Sequence, residues 1–427
     1  MKFSKNAVSK KLPQTLIDEF EGPMLFSYVW WILKQAQQRQ IGTLYFLARD
    51  GYLLKEIAQK FCNRFALSIE CRYLYCSRVS LRLPSYHLIG DQSYYYLLEP
   101  GYYITFEKLM KRANLTDEES KLVCHDCRFP WKEKERILGK KEFQQLSQSL
   151  RDSFVYRELI IKKSKIAYQT ASGYLRQEIP LNLKKFAIVD SGWLGSMQFF
   201  LSRLLYSIGF RGEIEGFYFG LYTFPSDCQS GRYSAWYFDN STGARDKAAF
   251  CNNLFECLLG APHGMTTKYT YKENRFMPVL EPAQNCSSFF YREKEILQYT
   301  QKRLETITFE LFQEDEQKYE TRKLVRRYMM YPTQQEVRYY GSLHFSDDIT
   351  ESSRSSFLVN SNYKQSLQNC LISRRILSFL KISKKNRSVP YWPYGAIAFL
   401  PKWKKWWYRK NVYWWEWIRC QIMSKNF

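Results

Sequence analysis

A short apolar run, a polar turn and an amphipathic helix follow one another twice in this chain, and this pattern constrains its fold more than any other feature. The first occurrence is TLYFLARDGYLLKEIAQKF, where residues 43–48 predict a buried strand and residues 52–65 predict a helix. The second occurrence is FAIVDSGWLGSMQFFLSRLL, residues 186–205. Buried strands that lead directly into helices are typical of parallel sheets, so the pattern predicts an α/β protein.

Three further apolar segments predict strands, and three longer periodic segments predict helices. The strands are predicted at 69–78, 213–222 and 231–238, and the helices at 16–40, 247–260 and 287–330. Their order indicates a Rossmann-like α/β core with a parallel sheet, over residues 14–285. We predict a helical insertion within it at about 91–180, a helical C-terminal region over 286–375, and a basic tail over 376–427.

Polar residues follow three of the predicted strands, at the point where each strand ends. They are Arg49-Asp50-Gly51, Ser77-Arg78 and Asp190-Ser191-Gly192. In an open parallel sheet, ligands bind beyond the carboxyl ends of the strands, so these groups share one crevice if the strands are neighbours. Each segment alone is most simply an ordinary turn, whereas three segments at equivalent positions favour a binding site.

The turn after Asp190 has the composition of an anion-binding site. Small residues between Gly192 and Ser196 allow backbone N–H groups at a helix N-terminus to surround a phosphate, while the Asp190 carboxylate accepts from a sugar diol. Arg49 and Arg78 could hold a diphosphate through paired N–H donors. The residues therefore predict a ribose phosphate ligand with a diphosphate leaving group.

Several common catalytic motifs are absent from the sequence. It contains no GxxxxGK[ST], no GxGxxG after a strand, no GxSxG elbow and no predicted strand that ends in DxD. The four histidines are dispersed, and the one tight cysteine pair, Cys124 and Cys127, has no second pair at zinc spacing. We therefore assign no side chain as a metal ligand and predict that these cysteines are ordinary thiols.

Five segments occur in a fixed order between Gly22 and Tyr269. They are GPMLFSYVWWILKQAQQRQIGTLYFLARDGYLLKEI, YLYCSRVSLRLP, VDSGWLGSMQ, GFYFGLY and NLFECLLGAPHG. This set resembles the glycan-specific phosphoribosyltransferase module of bacterial two-domain ribofuranosyltransferases, and the resemblance implies a phosphoribosyltransferase-like core. The resemblance implies transfer from phosphoribosyl diphosphate to a hydroxyl of a lipid-linked surface polysaccharide, such as a capsule or an O-antigen. The chain departs from the usual phosphoribosyltransferase loop, because Ser191 replaces its second acid and Trp193 lies within it.

Proteins of that family carry a haloacid-dehalogenase-type phosphatase module ahead of the transferase module. Only about twenty residues precede the first shared segment here. The resemblance then implies that ribose 5-phosphate is transferred and that a separate phosphatase removes the phosphate.

These observations assign roles to individual residues. The expected donor-binding residues are Arg49, Gly51, Ser77, Arg78, Ser191, Gly192, Trp193, Gly195, Ser196 and Gln198. Asp50, Asp190 and Glu256 are the catalytic candidates, since an alcohol acceptor needs a general base, and His263 is a candidate acceptor contact. The arginines and Mg²⁺ would neutralise the leaving diphosphate. Glu256 could equally be a solvated or salt-bridged helix residue, and His263 an ordinary loop histidine.

The formal net charge of +23 is concentrated near the C-terminus. Residues 372–427 contain thirteen lysines and arginines but one acidic residue, and seven of the twelve tryptophans lie between 391 and 419. Basic and tryptophan-rich segments favour the headgroup level of an anionic membrane. Two alternatives remain, which are aromatic packing on the protein's own core and binding of single-stranded nucleic acid. Because no nucleic-acid motif is present, we predict no nucleic-acid partner.

The expected location is the cytoplasm, at the inner face of the cytoplasmic membrane. The N-terminal residues lack the apolar segment of a signal peptide, and the longest apolar run, MLFSYVWWIL, is too short to span a bilayer. Eleven scattered cysteines suit a reducing compartment. Two other functions remain open at this point. They are a nucleotide-sugar-dependent glycosyltransferase of surface polysaccharide synthesis and a non-catalytic basic protein that binds nucleic acid or membranes.

Overall fold

A five-stranded parallel sheet lies at the centre of the structure. The structure is a computed structural model that describes residues 11–99, 104–225, 232–283, 286–345, 356–359, 362–379 and 389–423. The strands are β1 (Thr43–Leu47), β2 (Glu70–Leu74), β3 (Lys185–Trp193), β4 (Glu213–Leu221) and β5 (Tyr233–Phe238). Their order is β2-β1-β3-β4-β5, and every neighbouring pair is parallel. The predicted α/β class with a parallel sheet is confirmed.

The helices are numbered in chain order. Before β3 the chain forms α1 (Lys11–Leu16), α2 (Gly22–Gln38), α3 (Gly51–Phe65), α4 (Arg78–Ile89), α5 (Ser93–Leu97), α6 (Phe106–Arg112), α7 (Asp117–Asp126), α8 (Lys140–Asp152) and α9 (Phe154–Glu178). After β3 it forms α10 (Ser196–Ser207), α11 (Ala244–Ala249), α12 (Asn252–Leu259), α13 (Cys286–Leu304), α14 (Glu314–Leu324), α15 (Gln334–Tyr340), α16 (Tyr363–Gln368), α17 (Ile372–Phe379), α18 (Pro393–Ile397) and α19 (Lys402–Met423). Two antiparallel hairpins complete the set, β6 (Thr266–Lys272) with β7 (Arg275–Leu280) and β8 (His344–Phe345) with β9 (Ser356–Phe357).

The order of the strands in the sheet changes direction between β1 and β3. The chain adds β2 on one side of β1 and then adds β3, β4 and β5 on the other side. From β1 the chain passes through α3 to β2 on one side, whereas β3 leads through α10 to β4 on the other side. The segments that follow β1 and β3 therefore diverge and leave a crevice at the carboxyl edge of the sheet. Open α/β sheets bind their ligands at such a point.

Alternate residues of each central strand pack against helices on opposite faces of the sheet. Leu44 and Phe46 of β1 belong to one apolar cluster with α2, α3 and α12, whereas Tyr45 and Leu47 belong to another with α4, α9 and α10. Every residue of β1 is buried. A strand covered on both faces needs apolar residues at every position, which is why β1 is a continuous apolar run in the sequence.

The structure corrects several predicted boundaries. β3 continues to Trp193, through most of the predicted turn, because its backbone pairs with β4 to the end of both strands. β2 ends at Leu74, and Arg78 is the first residue of α4 rather than the end of a strand. The predicted helix at 247–260 is two helices, α11 and α12, and the β6–β7 hairpin has no counterpart among the predicted strands.

The predicted insertion at about 91–180 is helical in its described part, but it does not end at one boundary. Buried residues between Tyr86 and Ile160 form an apolar cluster of their own. The last turns of α9, around Tyr174, pack instead in the cluster on the sheet. The final part of this segment therefore belongs to the core.

The C-terminal helices pack on the core as well. The Trp392 indole is fully buried, and its Nε1–H donates a hydrogen bond to the Met329 carbonyl over 2.8 Å. The Tyr394 hydroxyl donates to the Ala248 carbonyl over 2.9 Å. One apolar cluster thus contains residues from all three predicted regions, whose boundaries stay a prediction. The predicted tail is described at 376–379 and 389–423 only.

Four tryptophans of α19 form an exposed face, which we call the tryptophan stripe. They are Trp403, Trp406, Trp407 and Trp414, with 71, 59, 54 and 48% of their surface exposed. Their spacing places them on one side of the helix, since 3.6 residues make one turn. Val412, on the opposite side, is buried in the core. Within the described residues, none of the helices combines the length and apolar composition needed to cross a bilayer.

Candidate active site at the carboxyl edge of the sheet

A hydrogen bond joins the segments that follow β1 and β3. After β1, a cis peptide bond links Ala48 to Arg49, and Asp50 directly precedes the first residue of α3. Ser191 lies in β3 and is buried. Its hydroxyl donates to Oδ2 of Asp50, which connects two residues 141 positions apart in the chain. The two predicted turns therefore meet across the crevice.

Tyr28 of α2 supports the position of Asp190 from one face of the sheet. Its buried hydroxyl lies 2.9 Å from the carbonyl oxygen of Asp190 and 3.1 Å from that of Phe217 in β4. Both oxygens accept, and the single hydroxyl proton is shared between them. This contact fixes β3 relative to β4 at Asp190. Sequence reasoning missed Tyr28, which stands unmarked within an apolar helix.

Trp193 brings Glu256 to the site. The Trp193 indole Nε1–H donates to Oε1 of Glu256 over 2.6 Å, which ties α12 to the end of β3. The Trp193 backbone has a φ of +78°, a conformation that L residues rarely adopt. Its ring packs against Phe250 and Phe255, whose ring centroids lie 5.4 and 6.0 Å away. The tryptophan that departs from the usual loop pattern is therefore a positioning residue for Glu256.

The three carboxyl groups at the site all have raised pKa values. Burial, followed by the negative charges of Asp50 and Glu256, raises the pKa of Asp190 to about 8. Burial and the charge of Asp50 raise the pKa of Glu256 to about 7. Burial also raises the pKa of Asp50. Burial is the largest cause of each shift, although each of the three residues keeps part of its surface exposed. Coupled acids with displaced pKa values in a cleft are typical of active sites.

Two arginines oppose these shifts. Arg78 lowers the pKa values of all three carboxyls, and Arg49 lowers those of Asp50 and Glu256. Arg49 is half-buried and Arg78 is exposed at the first residue of α4. The structure therefore brings together the predicted arginines with Asp50, Asp190 and Glu256.

The glycines of the predicted anion-binding turn have different places from those expected. Gly192 pairs with Gly220 inside the sheet at a φ of +113°, and a Cβ there would lie 2.2 Å from the Gly220 carbonyl oxygen. Gly195 has a φ of +61° and directly precedes Ser196, the first residue of α10. Only the N-terminus of α10 is thus left to receive an anion. Gly51 is the first residue of α3, packed against the end of β1.

Ser77 and Gln198 are committed to internal hydrogen bonds. The buried Ser77 hydroxyl donates to the Thr266 carbonyl over 2.6 Å and accepts from the Ser80 N–H. We reassign Ser77 from donor binding to the capping of α4.

Gln198 is likewise buried. Its side-chain N–H groups donate to the carbonyls of Ile214 and Arg232 over 3.0 and 3.2 Å, and its oxygen accepts from the Tyr218 hydroxyl over 2.7 Å. We reassign Gln198 from donor binding to the support of β4.

His263 lies in a group of tyrosines beside Arg49. Its Nδ1 lies 2.8 Å from the Gly264 carbonyl, which can only accept, so Nδ1 carries the proton and Nε2 accepts from the Tyr73 hydroxyl over 2.8 Å. Burial lowers the pKa of His263, and Arg49 lowers it further, so the ring is neutral near pH 7. One sequence feature could have indicated this group of tyrosines. It is the alternation of Tyr73, in β2, with Tyr75, just after the strand.

The described residues contain no group of three or more His, Cys, Asp or Glu side chains that could hold a metal ion. Cys124 and Cys127 are free thiols in and after α7. The structure thus offers no preformed metal cluster in the part of the chain that it describes. A scan against protein-family models and a search of curated proteins both match nothing.

Proposed function

We propose that this protein is a glycosyltransferase of phosphoribosyltransferase type. It would move ribose 5-phosphate from phosphoribosyl diphosphate to a hydroxyl of a lipid-linked bacterial surface polysaccharide. One observation carries the proposal, namely that three coupled carboxyls and two arginines converge where the order of the strands in the sheet changes direction. The sheet order also supports a Rossmann-like, phosphoribosyltransferase-like core.

The arginines suit the leaving group. When the bond from ribose C1 to the diphosphate breaks, negative charge grows on the departing oxygens and positive charge grows on the sugar. Arg49 and Arg78 would hold the diphosphate by bidentate hydrogen bonds as this charge develops. Arg78 is also the first residue of a twelve-residue helix, whose N-terminus favours an anion.

Mg²⁺ would accompany the diphosphate. Asp50 could hold the ion, because Mg²⁺ is commonly bound by one or two carboxylates together with substrate phosphates. It would supply neutralisation of the diphosphate charge.

The 5-phosphate suits the N-terminus of α10. This helix has twelve residues, and Gly195 and Ser196 stand at its start without a side-chain cap. Unpaired backbone N–H groups at a helix N-terminus bind phosphate well. The sugar would then lie between α10 and the two arginines.

Glu256 is the better candidate for the general base. With a pKa of about 7 it is half ionised at neutral pH, whereas Asp190, with a pKa of about 8, is mainly protonated. Glu256 would accept the proton of the acceptor hydroxyl as that oxygen bonds to ribose C1. Protonated Asp190 would donate a hydrogen bond to the ribose diol.

The tyrosines around His263 suit the acceptor. The rings of Tyr52, Tyr73 and Tyr75 have centroids 6.5, 5.7 and 4.9 Å from the imidazole centroid. All three are half-buried and would provide flat apolar surface with hydroxyl groups for a glycan. The product keeps its 5-phosphate in this scheme.

The tryptophan stripe supports attachment to the cytoplasmic face of an anionic membrane. Tryptophan prefers the headgroup level of a bilayer, and basic residues nearby are attracted to anionic lipid. Lys410 lies within the stripe, with its Nζ 3.9 Å from the centroid of the Trp406 ring. The lipid carrier of the acceptor would be presented at the same surface.

A mass-spectrometric assay tests the enzymatic proposal. The protein is incubated with phosphoribosyl diphosphate, Mg²⁺ and a panel of lipid-linked glycans, and we expect one acceptor to gain the mass of a phosphopentose. Parallel reactions receive nucleotide sugars instead. Transfer from a nucleotide sugar, with none from phosphoribosyl diphosphate, would favour the nucleotide-sugar-dependent alternative. No transfer from either donor would favour the non-catalytic alternative.

A further inference from the structure

A cavity of about 440 Å³ lies at the start of α19. It is bounded by α16, by the segment before α19 and by the first turns of α19. The residues that matter most here are Tyr363, Lys364, Phe399, Lys404 and Tyr408. This volume is within the range of pockets that hold small ligands.

The lining of this cavity combines positive charge with aromatic surface. Lys364 and Lys404 supply two ammonium groups, and no acidic residue takes part in the lining. Among the described residues neither lysine forms an ion pair. The rings of Tyr363 and Phe399 lie against each other, with centroids 5.4 Å apart. Such a lining suits an anion that carries an apolar or neutral organic group.

The stretch of chain that lines the cavity carries little negative charge. Glu416 is the only acidic residue between 356 and 423, and it pairs with Arg419 over 2.7 Å. An anion that enters the cavity would therefore meet two lysines and no acidic residue in the lining. Lysine ammonium groups bind phosphate as point charges.

The cavity is also adjacent to the tryptophan stripe. Lys404 follows Trp403, the most exposed member of the stripe, and its Nζ lies 5.0 Å from the centroid of that ring. A stripe seated at the headgroup level would place Lys404 among lipid phosphates. A free phosphate in the cytoplasm would not need this neighbourhood.

We propose that the cavity binds the phosphate group of a membrane phospholipid, with Lys364 and Lys404 as its ligands. The aromatic wall contacts the glycerol part of the same headgroup. This inference rests on the proposed membrane attachment of α19 and adds to it a preference for phosphate over other anionic lipid groups.

The test compares two kinds of vesicle of equal negative surface charge, matched by zeta potential. Both consist of digalactosyldiacylglycerol, which contains no phosphate, and the charge comes from phosphatidylglycerol in one and from oleate in the other. Full-length protein is sedimented with each. We expect about tenfold tighter binding to the phosphatidylglycerol vesicles, the size of preference that two lysine contacts can supply.

Two double variants distinguish binding in the cavity from general electrostatic attraction to the vesicle surface. Lys364→Gln with Lys404→Gln should abolish the preference for phosphatidylglycerol. The matched control, Lys402→Gln with Lys405→Gln, removes the same charge from outside the cavity lining and should weaken both kinds of binding while keeping the preference. Circular dichroism verifies that both variants are folded.

The remaining outcomes decide the source of the phosphate. Binding to both vesicles without preference overturns the cavity proposal and leaves membrane attachment standing. Absence of binding to either vesicle overturns both. In that case, saturable quenching of tryptophan fluorescence by glycerol 1-phosphate, lost in Lys364→Gln with Lys404→Gln, would reassign the cavity to a soluble phosphate ester.

Discussion

The crevice at β1 and β3 and the tryptophan stripe of α19 both combine charged and aromatic side chains, yet they are built in opposite ways. In the crevice, Asp50 meets Ser191 from 141 positions away, and Trp193 meets Glu256 from 63 positions away. In the stripe, all four members come from one helix. Each crevice residue has a distinct partner, whereas the tryptophans are nearly equivalent to one another.

This difference has a consequence for mutation. A conservative change in the crevice removes a contact that no other residue can replace. A change in the stripe removes one of several similar contributions. We therefore expect steep effects of single substitutions in the crevice and graded effects in the stripe.

The largest effect is expected at Glu256. Glu256→Gln keeps the shape of the side chain but removes the proposed base, so turnover should fall by about 10²–10⁴-fold. Turnover is measured by phosphopentose transfer to a soluble acceptor analogue. The matched control is Glu310→Gln, which should keep full turnover. The Glu310 carboxylate is exposed and forms an ion pair with Lys34. Equal turnover in the two variants would remove Glu256 from the mechanism.

A smaller loss is expected at Arg49. Arg49→Lys keeps the positive charge but loses the planar fork, so turnover should fall by roughly 10- to 100-fold. Arg64→Lys makes the same change at an exposed position of α3 and serves as the control. Wild-type turnover in Arg49→Lys would show that charge alone suffices at this position and would break the claim that crevice contacts are irreplaceable.

The raised pKa values predict a pH dependence of stability. The unfolded chain ionises Asp190 near pH 4, whereas the folded protein retains its proton up to about pH 8, so the stability contribution of this group falls as pH rises between these values. Asp190→Asn removes that loss. Its free energy of unfolding in urea should exceed that of the wild type by roughly 2 kcal/mol at pH 8, since partial exposure reduces the full effect. The difference should vanish near pH 4, and a pH-independent difference would contradict the raised pKa of Asp190.

The smallest effects are expected in the stripe. Trp403→Ala and Trp407→Ala should each weaken binding to anionic vesicles about fivefold, with nearly additive effects, while transfer to a soluble acceptor is unchanged. Phe154→Ala removes an equally exposed aromatic from α9 and is the control. Point substitutions are sharper here than truncation after Ser388, because truncation would also remove the buried Trp392. Complete loss of binding from one substitution would make the stripe as specific as the crevice.

The sequence predicted the features that depend on local pattern. The apolar run before Arg49 correctly placed β1, because a strand buried on both faces must be apolar throughout. The polar residues after the strands correctly predicted that Asp50 and Asp190 meet, because parallel strands share one carboxyl edge.

Features that depend on distant partners could not be predicted. β3 continues past Asp190 because Gly192 pairs with Gly220 on another strand. The Ser77 hydroxyl donates to a carbonyl of the β6–β7 hairpin, and the Gln198 side chain is hydrogen-bonded to β4. Neither partner can be recognised from the residues around Ser77 or Gln198 in the sequence. The role of Trp193 likewise depends on where α12 carries Glu256.

The long interval between the two central strands has a consequence during synthesis. Leu44 of β1 pairs with Ala187 of β3, so 143 residues of chain must be translated between them. At about 5–20 residues per second this takes roughly 7–30 s. For that time the edge of β1 that β3 will cover has no partner strand, and an unpaired apolar edge of this kind is prone to bind other chains and the chaperones that hold them. The gene's expression yield should therefore respond to chaperone supply more strongly than its final stability suggests.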